Sequence, residues 1–187
     1  TATTEIYTVS LHDALPIYVF GAVETVRSVL PSMRREKRGR IVLTSSSAAH
    51  VSSAGMGYYA ATKHSIKAIG TALRQEVGEL GIDVVMVEPG VVKTAFGQVA
   101  LEENYMAPKV PDYQNQMDDL KSFMLKAFER APEVDHTRDI MIKALIEEHV
   151  KPVYRTTRGS LALGFMSRLI PARMYDAIVK QAIGRLH

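Results

Sequence analysis

A serine, a tyrosine and a lysine are the residues of this chain whose types and spacing could do chemistry together. Ser46 ends the run Ile41-Val42-Leu43-Thr44-Ser45-Ser46, and Tyr59 and Lys63 follow in Tyr59-Ala60-Ala61-Thr62-Lys63. The β-branched, apolar content of the first stretch predicts a buried strand, and the second stretch opens a segment with helical periodicity. Residues four apart on a helix share a face, so Tyr59 and Lys63 are expected side by side. A free tyrosine hydroxyl titrates near pH ~10, and a neighbouring ammonium favours the phenolate. Tyr59 then becomes a proton donor or acceptor in a useful range, and Ser46 a hydrogen-bond partner for the same substrate oxygen. Tyr-x-x-x-Lys alone is a weak signal, because both residues are common on solvated helix faces.

The elements that must position these residues can be read on either side of them. Val19, Val23, Val26, Val29, Leu30 and Met33 repeat at three and four, which predicts a helix from Tyr18 that Gly39 stops. The basic cluster Arg34-Arg-Glu-Lys-Arg-Gly-Arg40 falls where that helix ends, so its cations complement the helix dipole and no nucleic acid need be invoked. After the first strand, residues 47–57 are small and flexible and read as a loop, at the strand end where parallel sheets bind ligands. Ile66, Ile69, Leu73, Val77 and Leu80 place an apolar stripe on the next helix, with Gly81 as its stop. Ile82 to Glu88 is a near-continuous apolar run, as a strand buried on both faces requires, and Pro89-Gly90 turns the chain.

From residue 95 to 132 the composition becomes polar and irregular, with a helical patch from Met117 to Glu129, which predicts a flap over a pocket. Its methionines at 106, 117 and 124 either line that pocket or fill core gaps. Thr137 to His149 reads as a helix capped by Asp135 or Thr137, and Lys151 to Arg155 as a short last strand with Pro152 at its start or on a sheet edge. Helix and strand alternate throughout, which predicts an α/β layer with right-handed crossovers. Residues 1–17 show neither period, and Ser10-Leu-His-Asp-Ala-Leu-Pro-Ile17 looks like translated adapter sequence, so this segment is set aside as a non-native scar and the domain is expected over 18–187.

The strand, the serine at its end, the helix with Tyr59 and Lys63, the second strand and then Pro89-Gly90-Val91-Val92-Lys93-Thr94 arrive in one order. That order resembles the short-chain dehydrogenase/reductase family of the classical type, in which the serine lies thirteen residues before the tyrosine, as Ser46 does here. The resemblance implies a partial Rossmann-like, doubly wound parallel sheet, its carboxyl-terminal half, with a helical flap and a helical tail over 156–187. It implies hydride transfer between NAD or NADP and an alcohol or carbonyl compound, and a homo-oligomer for the full-length protein. Carried over by matching motif, Tyr59 is the general acid/base, Lys63 lowers its pKa and holds the nicotinamide ribose, and Ser46 orients the substrate oxygen. Backbone groups of Pro89, Gly90 and Val92 and the hydroxyl of Thr94 meet the carboxamide end of the cofactor.

The sequence also departs from the family. It contains no Thr-Gly-x-x-x-Gly-x-Gly loop to bring backbone amides to a pyrophosphate and no Asn-Asn-Ala-Gly, and Tyr18 stands where an asparagine belongs before Gly21. The expectation is a carboxyl-terminal part of a longer reading frame that does not turn over by itself. Two other classes stay open: a non-catalytic relative that senses or scaffolds, and a peripheral membrane-binding module.

Composition narrows the rest. At 187 residues, 47% hydrophobic and 23% charged, the chain fits one globular domain. No apolar run approaches the roughly 18 residues of a membrane span, and the first residues lack the pattern of a signal peptide. Zero cysteines exclude disulfides and thiolate metal ligands and suit a reducing compartment, so a cytoplasmic location is expected. Six scattered histidines show no ligand spacing, and no metal is expected. The net charge of +3 hides an asymmetry: from Lys151 onward seven basic residues face one acid, which gives the tail +6 and the first 150 residues −3. With Leu161, Leu163, Phe165, Met166, Leu169, Ile170, Met174, Ile178 and Ile183 at near-helical spacing, that tail suits either an anionic membrane surface or packing on its own domain or a second subunit. The apolar flap and tail favour a lipophilic alcohol or ketone as substrate.

Overall fold

A computed structural model describes residues 15–95, 114–160 and 169–184. The expectations for residues 1–14, for the 96–113 part of the flap and for Leu161, Leu163, Phe165 and Met166 lie outside the described residues. Three parallel strands form one sheet in the order β1 (Gly39–Thr44), β2 (Ile82–Glu88), β3 (Val153–Arg155). Ile41 pairs with Val84 and Leu43 with Met86, and Met86 in turn pairs with Val153. β2 is central and buried from Val84 through Glu88, as its unbroken apolar run requires. Pro152 comes just before β3 on the sheet edge, where its missing N–H costs nothing and its carbonyl accepts from Met86 N at 3.0 Å.

Helices cover both faces. α1 (Gly21–Glu36) and α2 (Gly57–Val77) lie over one, closing a core of Val19, Ile41, Leu43, Ile66, Val77, Ile82, Val84 and Met86. α4 (Asp135–Ile146) lies over the other, where Val85, Val87, Ala144 and Tyr154 are buried together. Between them in sequence is α3 (Gln114–Glu129), and α5 (Ala172–Gly184) follows β3. The result is the doubly wound α/β arrangement expected, in part. No helix among the described residues is long and apolar enough to cross a membrane.

Three local expectations are corrected. The first helix begins before Tyr18, because a π-helical turn over Pro16–Phe20 leads directly into α1; proline's fixed φ suits a helix start. Gly39 does not stop α1. Lys37 takes the left-handed position at φ 49°, and Lys37 N donates to Arg34 O at 3.4 Å and Arg38 N to Met33 O at 3.2 Å. That pair satisfies the terminal carbonyls and leaves Gly39 to begin β1. Neither Asp135 nor Thr137 caps α4, which follows Val134 without a side-chain cap. Thr137 is instead buried and donates to Thr156 Oγ1 at 2.8 Å, while Asp135 pairs with Arg138 at 2.7 Å. Tertiary partners outcompeted the local backbone at both positions.

Gly81 does end the α2 segment, at φ 73° after a 3₁₀ turn over Gly78–Leu80. Arg40 has a use the helix-dipole reading missed. It pairs with Asp83 at 2.8 Å across β1 and β2 and donates to the carbonyls of Leu145 and Glu147 at 2.9 and 2.6 Å, satisfying the carboxyl end of α4.

Candidate active site

The site is assembled where β1 and β2 end side by side. Beyond Thr44 the ladder continues, with Ser45 N donating to Val87 O at 2.8 Å, and the buried Ser45 hydroxyl donates to the Lys63 carbonyl at 3.1 Å. This ties the strand end to α2 directly beneath the candidate residues. Ser46 is extended and caps a 3₁₀ turn over Ser47–Ala49, its Oγ accepting from Ala48 N at 3.1 Å. Ser47 N donates to Pro89 O at 2.7 Å, so the turn after β1 and the turn after β2 are joined by backbone.

Tyr59 lies in the first turn of α2 and Lys63 one turn on. The Tyr59 hydroxyl and Ser46 are hydrogen-bonded to each other. Lys63 is buried; its Nζ donates to Thr44 O at 3.3 Å and lies over the rings of Tyr59 and Tyr18, at 5.7 and 4.8 Å from their centroids. Tyr18 meets Tyr59 edge to face, with centroids 6.3 Å apart.

Burial sets the electrostatics. It pushes the Tyr59 phenol above its ordinary pKa, with Tyr18 adding to the rise and the Ser46 hydrogen bond partly offsetting it, and it lowers the pKa of Lys63. The expected lowering of Tyr59 by Lys63 is therefore reversed in this arrangement. The ammonium lies over ring faces and bonds to a backbone carbonyl, and burial penalises the charged form of both residues. A raised phenol holds its proton at neutral pH.

Ser46, Tyr59, Lys63, Pro89, Gly90, Val92 and Thr94 all line one cavity of about 410 Å³. Every site residue expected from sequence is thus brought together. Val51, Met56, Met124 and Phe128 make much of the rest of the lining apolar, and the last two come from α3. Met124 follows the pocket-lining reading.

Gly90 is required by close approach. A Cβ there would collide with Thr157 Oγ1, and Thr157 is itself held by Ser160 N donating to that oxygen at 3.1 Å. Gly90→Ala is expected to destabilise the fold by about 1–3 kcal/mol, as overpacking does. Urea denaturation checks this, and an unchanged midpoint would show that Thr157 yields freely.

Tyr18 and Ser45, which line the same cavity, are the neighbours that sequence reasoning missed, along with Glu88, which ends β2 just before Pro89. Tyr18 adjoined the segment set aside, and Ser45 carried no signal beyond its position. Glu88 did carry one, as a carboxylate ending an apolar strand. No cluster of three or more metal-ligating side chains occurs among the described residues.

Comparison with known proteins bears on the family and the fold. A family model described as short chain dehydrogenase matches residues 2–104. The uncharacterized oxidoreductase YbbO of Escherichia coli (strain K12) is 33% identical over 163 residues, covering 86% of this chain and 55% of that protein. The chain spans about half the length of the curated relatives it matches. A short-chain dehydrogenase structure from Streptomyces avermitilis aligns with a TM-score of 0.72 at 21% identity, over 99% of this chain and 66% of that one. A second, from Burkholderia cenocepacia J2315 in complex with NADP, aligns at 0.63 and 16% identity, over 91% and 59%. Both likenesses are likenesses of fold.

Proposed function

The chain belongs to the short-chain dehydrogenase family, and on that premise we propose that it carries the catalytic residues of an oxidoreductase that interconverts an alcohol and a carbonyl compound with NAD or NADP. The observation that carries this reading is the meeting of Ser46, Tyr59 and Lys63 with the Pro89–Thr94 turn around one cavity. The residues present fit the nicotinamide end of such a cofactor. Gly90 offers backbone without a side chain, Thr94 a hydroxyl, and Lys63 an ammonium one turn from the phenol. Lys63 would hold the ribose, and the backbone of Pro89, Gly90 and Val92 with Thr94 the carboxamide.

When bound, the cofactor supplies or accepts the hydride. Tyr59, kept protonated by burial, gives its proton to the substrate oxygen as negative charge develops there. Ser46 donates to the same oxygen and fixes its place, and the fixed geometry lowers the cost of reaching the transition state. Lys63, held by the Thr44 carbonyl, keeps a cation beside the phenol and favours the phenolate left behind.

The apolar lining of Val51, Met56, Met124 and Phe128 supports a lipophilic alcohol or ketone as substrate. The Tyr175 hydroxyl donates to Ser52 O at 2.6 Å, which supports a tail packed on its own domain over one laid on a membrane. A homo-oligomer in the cytoplasm is part of the same proposal. So is the inactivity of the 187 residues alone, which contain no glycine-rich pyrophosphate loop.

A protein extended to the length of its relatives is expected to consume NADH or NADPH in step with ketone reduction. The 187-residue chain is expected to bind neither saturably in a fluorescence titration. No turnover by the extended protein with either cofactor, across aliphatic and aromatic ketones and alcohols, would overturn the reading.

A further inference from the structure

We propose that Glu88 is a positioning residue of this site, acting through a hydrogen bond that it accepts from His50 Nε2. The role rests on the oxidoreductase reading above; the hydrogen bond does not. Glu88 is the last residue of β2 and immediately precedes Pro89, which opens the turn that lines the cavity. Its side chain is 1% exposed, and its Oε2 accepts from Arg155 Nε at 2.9 Å and from His50 Nε2 at 2.8 Å. Its Oε1 has no hydrogen-bond partner among the described residues. His50 closes the 3₁₀ turn that Ser46 opens, and its side chain is 2% exposed.

The Glu88 carboxylate fixes a ring proton of His50. A carboxylate can only accept, so the Nε2 that faces Oε2 at 2.8 Å carries hydrogen. Lys67 Nζ lies 2.9 Å from Nδ1 and 3.5 Å from Nε2, which places it over the imidazole face, and it approaches Ala49 O at 3.4 Å. Arg155 and Lys67 flank the carboxylate and the imidazole, so one line of contacts runs from β3 to α2.

Such a line is poorly explained by stability. A buried carboxylate with one bare oxygen carries a desolvation cost, and apolar replacements of buried ion pairs are often as stable or more so. Its geometry has a clearer use. The line links β3, the end of β2, α2 and the turn carrying Ser46, and so braces from behind the two turns that Ser47 N and Pro89 O join in front at 2.7 Å. Misplacement of reacting groups by ~1 Å can cost about 100-fold in rate, so a strut between the turns matters more to turnover than to folding.

The test uses a protein extended to the length of its relatives. Glu88→Leu keeps much of the volume but removes the oxygen that accepts from both Arg155 and His50, and is expected to lower kcat about tenfold or more with little change in thermal midpoint. His50→Leu should do the same. His50→Gln still offers an amide N–H to Glu88, and should recover kcat to within about threefold of the parent. Nitrogen-labelled histidine NMR near neutral pH should find Nε2 of His50 protonated. An Nε2 without a proton, or unchanged kcat in both Glu88→Leu and His50→Leu, overturns the proposal. Should the extended protein show no oxidoreductase activity, the functional reading fails and the NMR result alone decides the hydrogen bond from His50 to Glu88.

Discussion

Tyr59→Phe is expected to remove most turnover from the extended protein, by about 100- to 10,000-fold in kcat, while cofactor affinity stays close to the parent's. The phenyl ring keeps the edge-to-face contact with Tyr18 and the ring face beneath Lys63, so the cavity keeps its shape. What is lost is the hydroxyl, the one group placed to move a proton beside Ser46. Steady-state kinetics checks the expectation, and a loss under about tenfold would contradict the acid/base role. The same variant isolates the phenol's titration. Burial raises Tyr59, so in cofactor-free protein the phenolate absorbance present in the parent and missing from the variant should develop above the ordinary tyrosine pKa of ~10. The proton-donating form is then present throughout the neutral range and is lost only as pH rises through that elevated value. A component titrating below the ordinary value would mean that the Lys63 charge outweighs desolvation after all.

Lys63→Ala is the second large effect, and it should strike binding and rate together. The ammonium is buried, hydrogen-bonded to Thr44 O and stacked over two aromatic rings, so its removal leaves a carbonyl without its donor and a gap beside the phenol. Hydrogen bonds to charged groups contribute about 1.5–3 kcal/mol, which sets the loss of cofactor affinity at roughly 10- to 100-fold. The rate should fall as well, because the phenolate formed on proton transfer loses its neighbouring cation. Fluorescence titration and kcat measured on one preparation separate the two. Unchanged affinity with unchanged rate would remove Lys63 from the site.

The different fates of Tyr59 and Lys63 show what residue patterns carry. That they share a helix face with Ser46 opposite was legible, because the face follows from a spacing of four and the serine from the end of an apolar strand. That Pro89 to Thr94 would stand at the same site was implied only by the family resemblance, not by local pattern. The direction of the Tyr59 shift was not legible. It depends on how deeply α2 is buried and on Tyr18, which arrives from a different helix. Thr137 was misread as a cap for a related reason: the hydroxyl of Thr156 is near only after β3 has docked. Lys37 in the left-handed position went unforeseen because local propensity favours glycine there, whereas sheet pairing claims Gly39. Glu88 and His50 are far apart in sequence, and nothing local to either names its partner.

The most direct measurement of the central claim is isotope transfer. The extended protein is incubated with a lipophilic ketone and a reduced nicotinamide dinucleotide deuterated at the reactive face of its ring, and the alcohol is analysed by mass spectrometry. The account predicts one deuterium at the carbinol carbon of each product molecule, with the hydroxyl proton exchanging with solvent, and formation of that product nearly abolished in Tyr59→Phe. Alcohol formed without deuterium on carbon from either face of the labelled ring, or formed equally well by the Tyr59 variant, would contradict it.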